Sequence, residues 1–92
     1  MFPELEITDV QVNLCDKDRL RAFASITLNH SFVVRDLKVI MGPEGIFVAM
    51  PSRRRADGRY HDVAHPLNAA MRTKVEESVL SEYNDARSRR QA

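Results

Sequence analysis

Hydrophobic and polar residues alternate with a period of two from about residue 5 to residue 64. Apolar side chains recur at every second position, with polar ones between them. This pattern is typical of β-strands that bury one face. It predicts three strands, whose inward-facing residues are Val10, Val12 and Leu14 in the first, Ala22, Ala24, Ile26 and Leu28 in the second, and Val33, Leu37 and Val39 in the third.

Short polar segments separate these strands. Residues 15–19 suit a hairpin loop, residues 29–31 a short turn, and residues 42–45 (Gly-Pro-Glu-Gly) a tight turn, because Pro presets φ and Gly allows positive φ. Loops of this length join antiparallel strands, since a parallel connection needs a longer crossover. The sheet is therefore predicted to be an antiparallel meander.

The next segment, residues 46–50, is apolar at every position and predicts a strand that is covered on both faces. A single helix covers only one side of a small sheet, so the other side and the edges need a partner. We expect a homodimer formed by edge pairing or face packing of the sheets. Candidate contacts are Phe23, Phe47 and Val48.

Pro51 ends that strand, and a polar, basic stretch follows over residues 52–59. Asp57-Gly58 predicts a turn within this stretch. Residues 60–64 could return as a short fifth strand.

The period then changes from two to nearly four, which predicts a helix over about residues 68–87. Pro66 and the possible cap Asn68 mark its start. Residues 88–92 are expected to form a basic tail. The apolar stripe of the helix consists of Leu67, Met71, Val75, Val79, Leu80 and Tyr83.

These elements predict an α+β fold: an antiparallel meander of about five strands over residues 5–64, followed by a C-terminal helix. At 92 residues, 43% hydrophobic and 29% charged, residues 1–92 suit a single folded domain. One cysteine excludes an intramolecular disulfide and suits a reducing cytoplasm. No stretch reaches the ~20 apolar residues of a membrane span, and residues 1–6 do not resemble a signal peptide. We expect a cytoplasmic protein.

Residues that could support catalysis or metal binding are few. His61 and His65 share a face on either a strand or a helix, but a zinc site needs three or four ligands, and Cys15 and His30 lie at no motif spacing from them. Ser52 is not in a nucleophile-elbow motif. We expect no enzymatic activity, metal, cofactor or small-molecule substrate.

The formal net charge of +1 conceals an uneven distribution. Residues 1–46 carry five basic and seven acidic side chains, a net charge of −2, whereas residues 47–92 carry nine and six, a net charge of +3. Arginine matches phosphate oxygens with a planar fork, so this excess favours a nucleic-acid partner, with a solvated face as the alternative. The positive excess is concentrated in Arg53, Arg54, Arg55, Arg59, Arg72 and Lys74.

Several segments, read in order, closely resemble the SpoVG family of small bacterial proteins named for sporulation and septation. The resemblance covers about residues 5–84. It is carried by LEITDV (5–10), RAFASITL (21–28), FVV (32–34), FVAMPSRR (47–54) and DVAHPLN (62–68).

The resemblance implies an antiparallel sheet with a C-terminal helix, dimerisation through the sheets, and regulation of gene expression by binding DNA or RNA. Family contacts to nucleic acid are attributed to basic residues of the helical region. The matching positions are Arg72 and Lys74, with Arg53 and Arg54 in support. Arg55 stands where a less basic residue is expected.

Two functions remain open at this point. The first is a dimeric, cytoplasmic nucleic-acid-binding regulator in which Arg53, Arg54, Arg72 and Lys74 hold phosphates. The second is a non-catalytic protein-interaction module in septum formation, which would dock a partner at a strand edge or at the His65-Pro66 corner.

Overall fold

A computed structural model describes residues 4–91, which form a four-stranded sheet, a separate two-stranded hairpin and one helix. The sheet is antiparallel with the strand order β1-β2-β3-β4, and β5 pairs with β6. The α+β class and the meander followed by a C-terminal helix are therefore confirmed. The elements are β1 (Ile7–Lys17), β2 (Leu20–Leu28), β3 (Phe32–Gly42), β4 (Gly45–Ala49), β5 (Ser52–Arg54), β6 (Tyr60–Asp62) and α1 (Ala69–Gln91).

Tight turns connect the four long strands. At the β2–β3 turn, Asn29 and His30 have φ angles of 49° and 53°, and the Ser31 N–H donates to the Leu28 carbonyl over 2.9 Å. Positive φ at both central residues matches the right-handed twist of a hairpin. The loop between β1 and β2 is shorter than predicted, because β1 continues as far as Lys17.

A bulge in β3 changes which residues face the core. Ala24 pairs with Leu37 and Ile26 pairs with Val34, so three residues of β3 span the distance of two in β2. Asp36 lies in this bulge with a φ of 66°. Side chains alternate between the two faces of a strand. The extra residue therefore reverses which face each side chain occupies on the far side of the bulge.

The bulge overturns one prediction about the core. Val34 packs against the core, and Val33 is 46% exposed on the other face. The prediction that Val33 shares the inward face with Leu37 and Val39 is therefore wrong.

The core lies between the inner face of the sheet and one side of α1, which packs mainly across β1. Each buried aliphatic side chain contributes about 1.5–3 kcal/mol to stability. The helix contributes Val75, Val79, Tyr83 and Ala86, and the sheet contributes Ala22, Ala24, Ile26, Leu37, Val39 and Val48.

The helix begins where predicted, directly after Asn68, but its apolar stripe and its C-terminal end differ from the prediction. Leu67 precedes α1 and is 90% exposed, so it does not belong to the apolar stripe, which begins at Met71. At the other end α1 continues to Gln91, so residues 88–91 are helical rather than a tail, and residue 92 lies outside the described residues.

The outer face of the sheet, opposite α1, carries two of the three predicted dimer contacts. Phe23 and Phe47 are partly exposed there. Val48 is buried against the core, so it is not available as a contact. Within the single chain, β4 is therefore covered on one face by the core and open on the other.

No helix within residues 4–91 is long and apolar enough to cross a membrane. The prediction that residues 1–6 do not form a signal peptide falls partly on residues outside the described range.

Candidate nucleic-acid interface

Residues 52–62 form an antiparallel hairpin that projects from the rest of the molecule, and we call this hairpin the arm. Residues 52–60 are all exposed, and the two strands contact each other far more than they contact the sheet or α1. The radius of gyration is 13.9 Å, above the roughly 12 Å of a compact domain of this length, as expected for a projecting element. The polar, basic stretch over residues 52–59 therefore contains a strand, β5, as well as a turn. The strand β6 corresponds to the predicted fifth strand.

Local backbone hydrogen bonds form the tip of the arm. The Gly58 N–H donates to the Arg55 carbonyl, and the Arg55 N–H donates to the Arg59 carbonyl, each over 2.9 Å. Gly58 has a φ of 83°, which suits glycine. The Asp57 Oδ1 accepts a hydrogen bond from the Arg59 N–H at 2.9 Å. The predicted Asp57-Gly58 turn is confirmed. Its Asp57 carboxylate accepts a backbone hydrogen bond within the turn.

The register of the arm separates its side chains into two faces. Arg53 lies opposite His61, and Arg54 lies opposite Tyr60. Because neighbouring residues of a strand point to opposite faces, Arg53 and Arg54 point away from each other. The first face, which we call the cationic face, consists of Arg53, Arg55 and Arg59, with the half-buried His61 at its base, whose Nε2 is buried without a hydrogen-bond partner; the second consists of Ser52, Arg54, Tyr60 and Asp62.

The helix begins beside the arm with a side-chain cap. The Asn68 Oδ1 accepts a hydrogen bond from the Met71 N–H at 2.8 Å, and the Asn68 carbonyl accepts from the Arg72 N–H at 3.1 Å. The predicted Asn68 cap is therefore confirmed. The first turn carries no acidic residue, so the partial positive charge of the helix N-terminus is not offset there.

Arg72 and Lys74 lie in the first turns of α1, and both are exposed. At 3.6 residues per turn they are separated by about 200° around the helix axis. They therefore form two flanks of the helix start rather than one shared patch. Lys74 lies on the flank that also carries His65 and Leu67.

The arm and the helix start are held at the same end of the molecule. At the base of the arm, the Val63 N–H donates to the Pro51 carbonyl over 2.7 Å. Residues 63–68 then lead directly to α1. An apolar cleft of about 220 Å³ lies at this junction. It is lined by Leu5, Ile26, Leu28, Phe32, Val34, Met50, Ala64, His65, Pro66, Met71 and Val75.

The cations of this end lack acidic partners. Among residues 4–91, the arginine side chains of the arm, Arg72 and Lys74 make no ion pair or side-chain hydrogen bond. At the far end of α1, by contrast, Arg89 pairs with Glu82 at 2.7 Å and Arg87 lies 5.5 Å from the centre of the Tyr83 ring. Positive charge is thus left without ion-pair partners on the arm and at the start of the helix.

Known sequences place the chain in a family. The SpoVG family model matches residues 5–85. The chain belongs to the SpoVG family. The resemblance over about residues 5–84 is therefore confirmed, and the matched range includes the sheet, the arm and most of the helix.

Several SpoVG relatives are similar over most of the chain, and each is named septation protein SpoVG. The protein from Myxococcus xanthus is 53% identical over 79 residues, which are 86% of this chain and 80% of that protein. The protein from Anaeromyxobacter sp. (strain K) is 51% identical over 80 residues, 87% and 79% of the two chains. The protein from Bacillus velezensis is 52% identical over 81 residues, 87% and 84% of the two chains.

The other candidate chemical groups of this SpoVG-family chain are distributed over β1, the arm and the segment that precedes α1. Cys15 is half-buried in β1, Ser52 opens the exposed β5, and His61 belongs to the arm. The His65 Nδ1 lies 2.9 Å from the Pro66 carbonyl oxygen. No three His, Cys, Asp or Glu side chains among residues 4–91 are grouped as metal ligands would be.

Sequence reasoning missed the pairing of Arg55 with Arg59. From the sequence alone, Arg55 stands where a less basic residue is expected, and Arg59 contributes only to the positive excess. A two-residue turn at Asp57-Gly58 would place Arg55 opposite Tyr60, so the sequence signal does not give the observed register. The loop contains the three residues 56–58, and this places Arg55 opposite Arg59 and Arg54 opposite Tyr60.

Proposed function

We propose that this SpoVG-family protein is a nucleic-acid-binding regulator that acts as a homodimer, without catalytic activity or a cofactor. The observation that carries the proposal is the set of exposed, unneutralised cations on the arm and on the first turns of α1. Phosphate groups are the anions that such a surface binds best, because arginine forks and helix N-termini both match phosphate oxygens. Each neutralised phosphate also releases counterions.

Four residues hold phosphates in this proposal. Arg72 and Lys74 flank the start of the helix, where the helix dipole adds to their charge. Arg53 and Arg54 extend the surface along the arm, one on each face.

Dimerisation forms part of the same proposal. Phe23 and Phe47 are 38% and 43% exposed on the outer face of the sheet, which α1 does not cover. A second copy packed there would bury both rings and present the basic surface twice. Two linked sites raise apparent affinity when both reach the same strand. A single monomer mass by light scattering at micromolar concentration would exclude the dimer.

A double substitution tests the nucleic-acid site. Arg72→Ala with Lys74→Ala should weaken binding to a mixed-sequence probe about tenfold or more at low salt, and should lower the salt dependence by about two phosphate contacts. Fluorescence anisotropy at two salt concentrations measures both effects.

The matched control is Lys17→Ala with Arg19→Ala. These two exposed cations lie at the β1–β2 turn, at the opposite end of the sheet from the cleft and the arm. The control removes the same charge, and at about 0.15 M salt it should leave affinity within about twofold, because there the Debye length is only about 8 Å and more distant exposed charges are largely screened. Equal binding by the parent and the Arg72/Lys74 variant would overturn the site.

The alternative is a non-catalytic protein-interaction module in septum formation, and it is favoured by the septation names of the relatives. In this function a partner docks at the open edge of β4 or at the His65-Pro66 corner. Gel-shift titrations with duplex DNA, single-stranded DNA and RNA separate the two functions. The absence of any shift favours the interaction module.

A further inference from the structure

We infer that the arm binds duplex DNA as a two-stranded β-ribbon, with its cationic face directed into the major groove. The inference rests on the proposed nucleic-acid function and goes beyond it, by naming the form of nucleic acid and the face of the arm that meets it. It adds Arg55 and Arg59 to the interface, and it gives Arg54, which lies on the second face, a smaller share of the binding than the residues of the cationic face.

The register concentrates positive charge on one face. The two exposed arginines Arg55 and Arg59 lie opposite each other, and Arg53 lies on the same face, opposite the half-buried imidazole of His61. Like charges directly opposite each other on a strand pair are destabilising. The arm tolerates this arrangement in full solvent, and an anion lying against the cationic face would relieve it.

The acidic residues of the arm do not offset this charge. Asp57 accepts the Arg59 N–H within the turn, and Asp62 lies opposite Ser52 on the second face. The second face therefore carries one arginine and one aspartate. Only the cationic face of the arm is suited to a polyanion.

The size of the arm suits the major groove of B-form DNA. That groove is about 12 Å wide and about 8.5 Å deep, and it admits a two-stranded β-ribbon. The arm is such a ribbon, and residues 52–60 are exposed along its length. The arm can therefore enter the groove without rearrangement of the sheet or α1.

The position of Tyr60 argues for a duplex rather than a single strand. Proteins that hold single strands combine backbone contacts with aromatic platforms on which bases stack. Tyr60 is 69% exposed, but it lies on the second face, opposite Arg54. Base stacking and the main phosphate contacts would then need opposite faces of the arm.

The same geometry favours DNA over double-stranded RNA. The major groove of A-form RNA is deep and narrow, and protein side chains do not read it. A ribbon that enters the major groove should therefore discriminate against the RNA duplex. Arg72 and Lys74, at the base of the arm, would contact phosphates at the rim of the groove.

Two neighbouring single substitutions test the inference. Arg54→Ala and Arg55→Ala remove the same charge one residue apart, from opposite faces of the arm. Their long-range electrostatic effects are nearly equal, so a difference between them reports contact. Anisotropy with a 20-base-pair DNA duplex of mixed sequence, at low salt, is the measurement, and circular dichroism checks that both variants fold.

We expect Arg55→Ala to weaken DNA binding about fivefold or more, and Arg54→Ala, which removes a proposed phosphate contact from the other face of the arm, only about twofold to threefold. Combining Arg55→Ala with Arg59→Ala should lower the salt dependence by about two phosphate contacts. The parent protein should bind the DNA duplex at least tenfold more tightly than an RNA duplex or a single strand of the same sequence.

Equal losses in the two single variants, or equal affinity for the RNA duplex or the single strand, would overturn the inference. If those results accompany a clear loss in the Arg72/Lys74 variant, the proposed nucleic-acid function stands and only the use of the arm is wrong. No binding of the parent to any of the three probes would overturn both.

Discussion

The body of the protein and its arm are built from the same type of antiparallel pairing but are held in place by different forces. In the body, the sheet and α1 bury a continuous apolar core that includes Leu37, Val79 and Tyr83. In the arm, residues 52–60 are all exposed, and the hairpin is held by its ladder, its glycine turn and the Val63–Pro51 hydrogen bond.

This difference separates stability from function along the chain. Hydrophobic burial is the dominant favourable term in folding, so the body determines whether the protein folds. The arm buries little and therefore contributes little to global stability. It is free to present charges that would be costly in a core. Substitutions in the two regions should accordingly have effects of different kinds.

The largest expected effect lies in the body. Leu37→Ala removes a fully buried side chain of β3 and should lower the free energy of unfolding by about 2–5 kcal/mol. Urea denaturation at a fixed protein concentration measures this. Arg53→Ala in the arm serves as the control, with an expected change within about 0.5 kcal/mol. Similar losses in the two variants would show that the body and the arm unfold as one unit.

An intermediate effect is expected at the β3 bulge. Asp36 has a φ of 66°, in the left-handed region that β-branched residues avoid. Asp36→Val should cost about 1–2 kcal/mol, whereas Asp36→Gly should be neutral or slightly stabilising. The midpoints of urea unfolding compare the two. A valine variant as stable as the glycine variant would show that the bulge can relax without strain.

The smallest effect on global stability is expected at the tip of the arm. Gly58 has a φ of 83°, so Gly58→Ala strains the turn locally. Global unfolding should change by less than about 0.5 kcal/mol, because the arm opens independently of the core. Hydrogen exchange should nevertheless speed up at the Arg55 and residue-58 amides, which donate the hydrogen bonds of the turn.

A loss at Gly58→Ala comparable to that at Leu37→Ala would remove the distinction between the two regions. Unchanged exchange at both amides would show that the turn does not hold the tip of the arm.

The sequence predicted much of the body because local chemistry and packing agree there. Alternation located the strands, Asn68 marked the helix start, and Asp57-Gly58 marked a turn. Predictions failed where tertiary contacts or one extra residue intervened. A bulge places Val33 on the face opposite to the predicted one. Leu67 follows the helical spacing without belonging to the helix.

The candidate site was less accessible to sequence reasoning. Composition showed that positive charge accumulates after residue 47, and the family resemblance directed attention to Arg53, Arg54, Arg72 and Lys74. Neither could show that Arg53 and Arg54 point to opposite faces, or that Arg55 joins Arg59. Arg53 and Arg54 are adjacent in the sequence, which suggested that they act together. The register of the hairpin places them on opposite faces.

The order and type of the main elements, the family and the positive charge after residue 47 could all be predicted from the sequence. These features depend on local periodicity, turn chemistry and residue identity. The exposed arm, the faces occupied by its side chains and the lack of acidic partners for its cations among the described residues became evident only in the folded structure. Faces and neighbours depend on strand register, and register is set by contacts between residues that are distant in the chain.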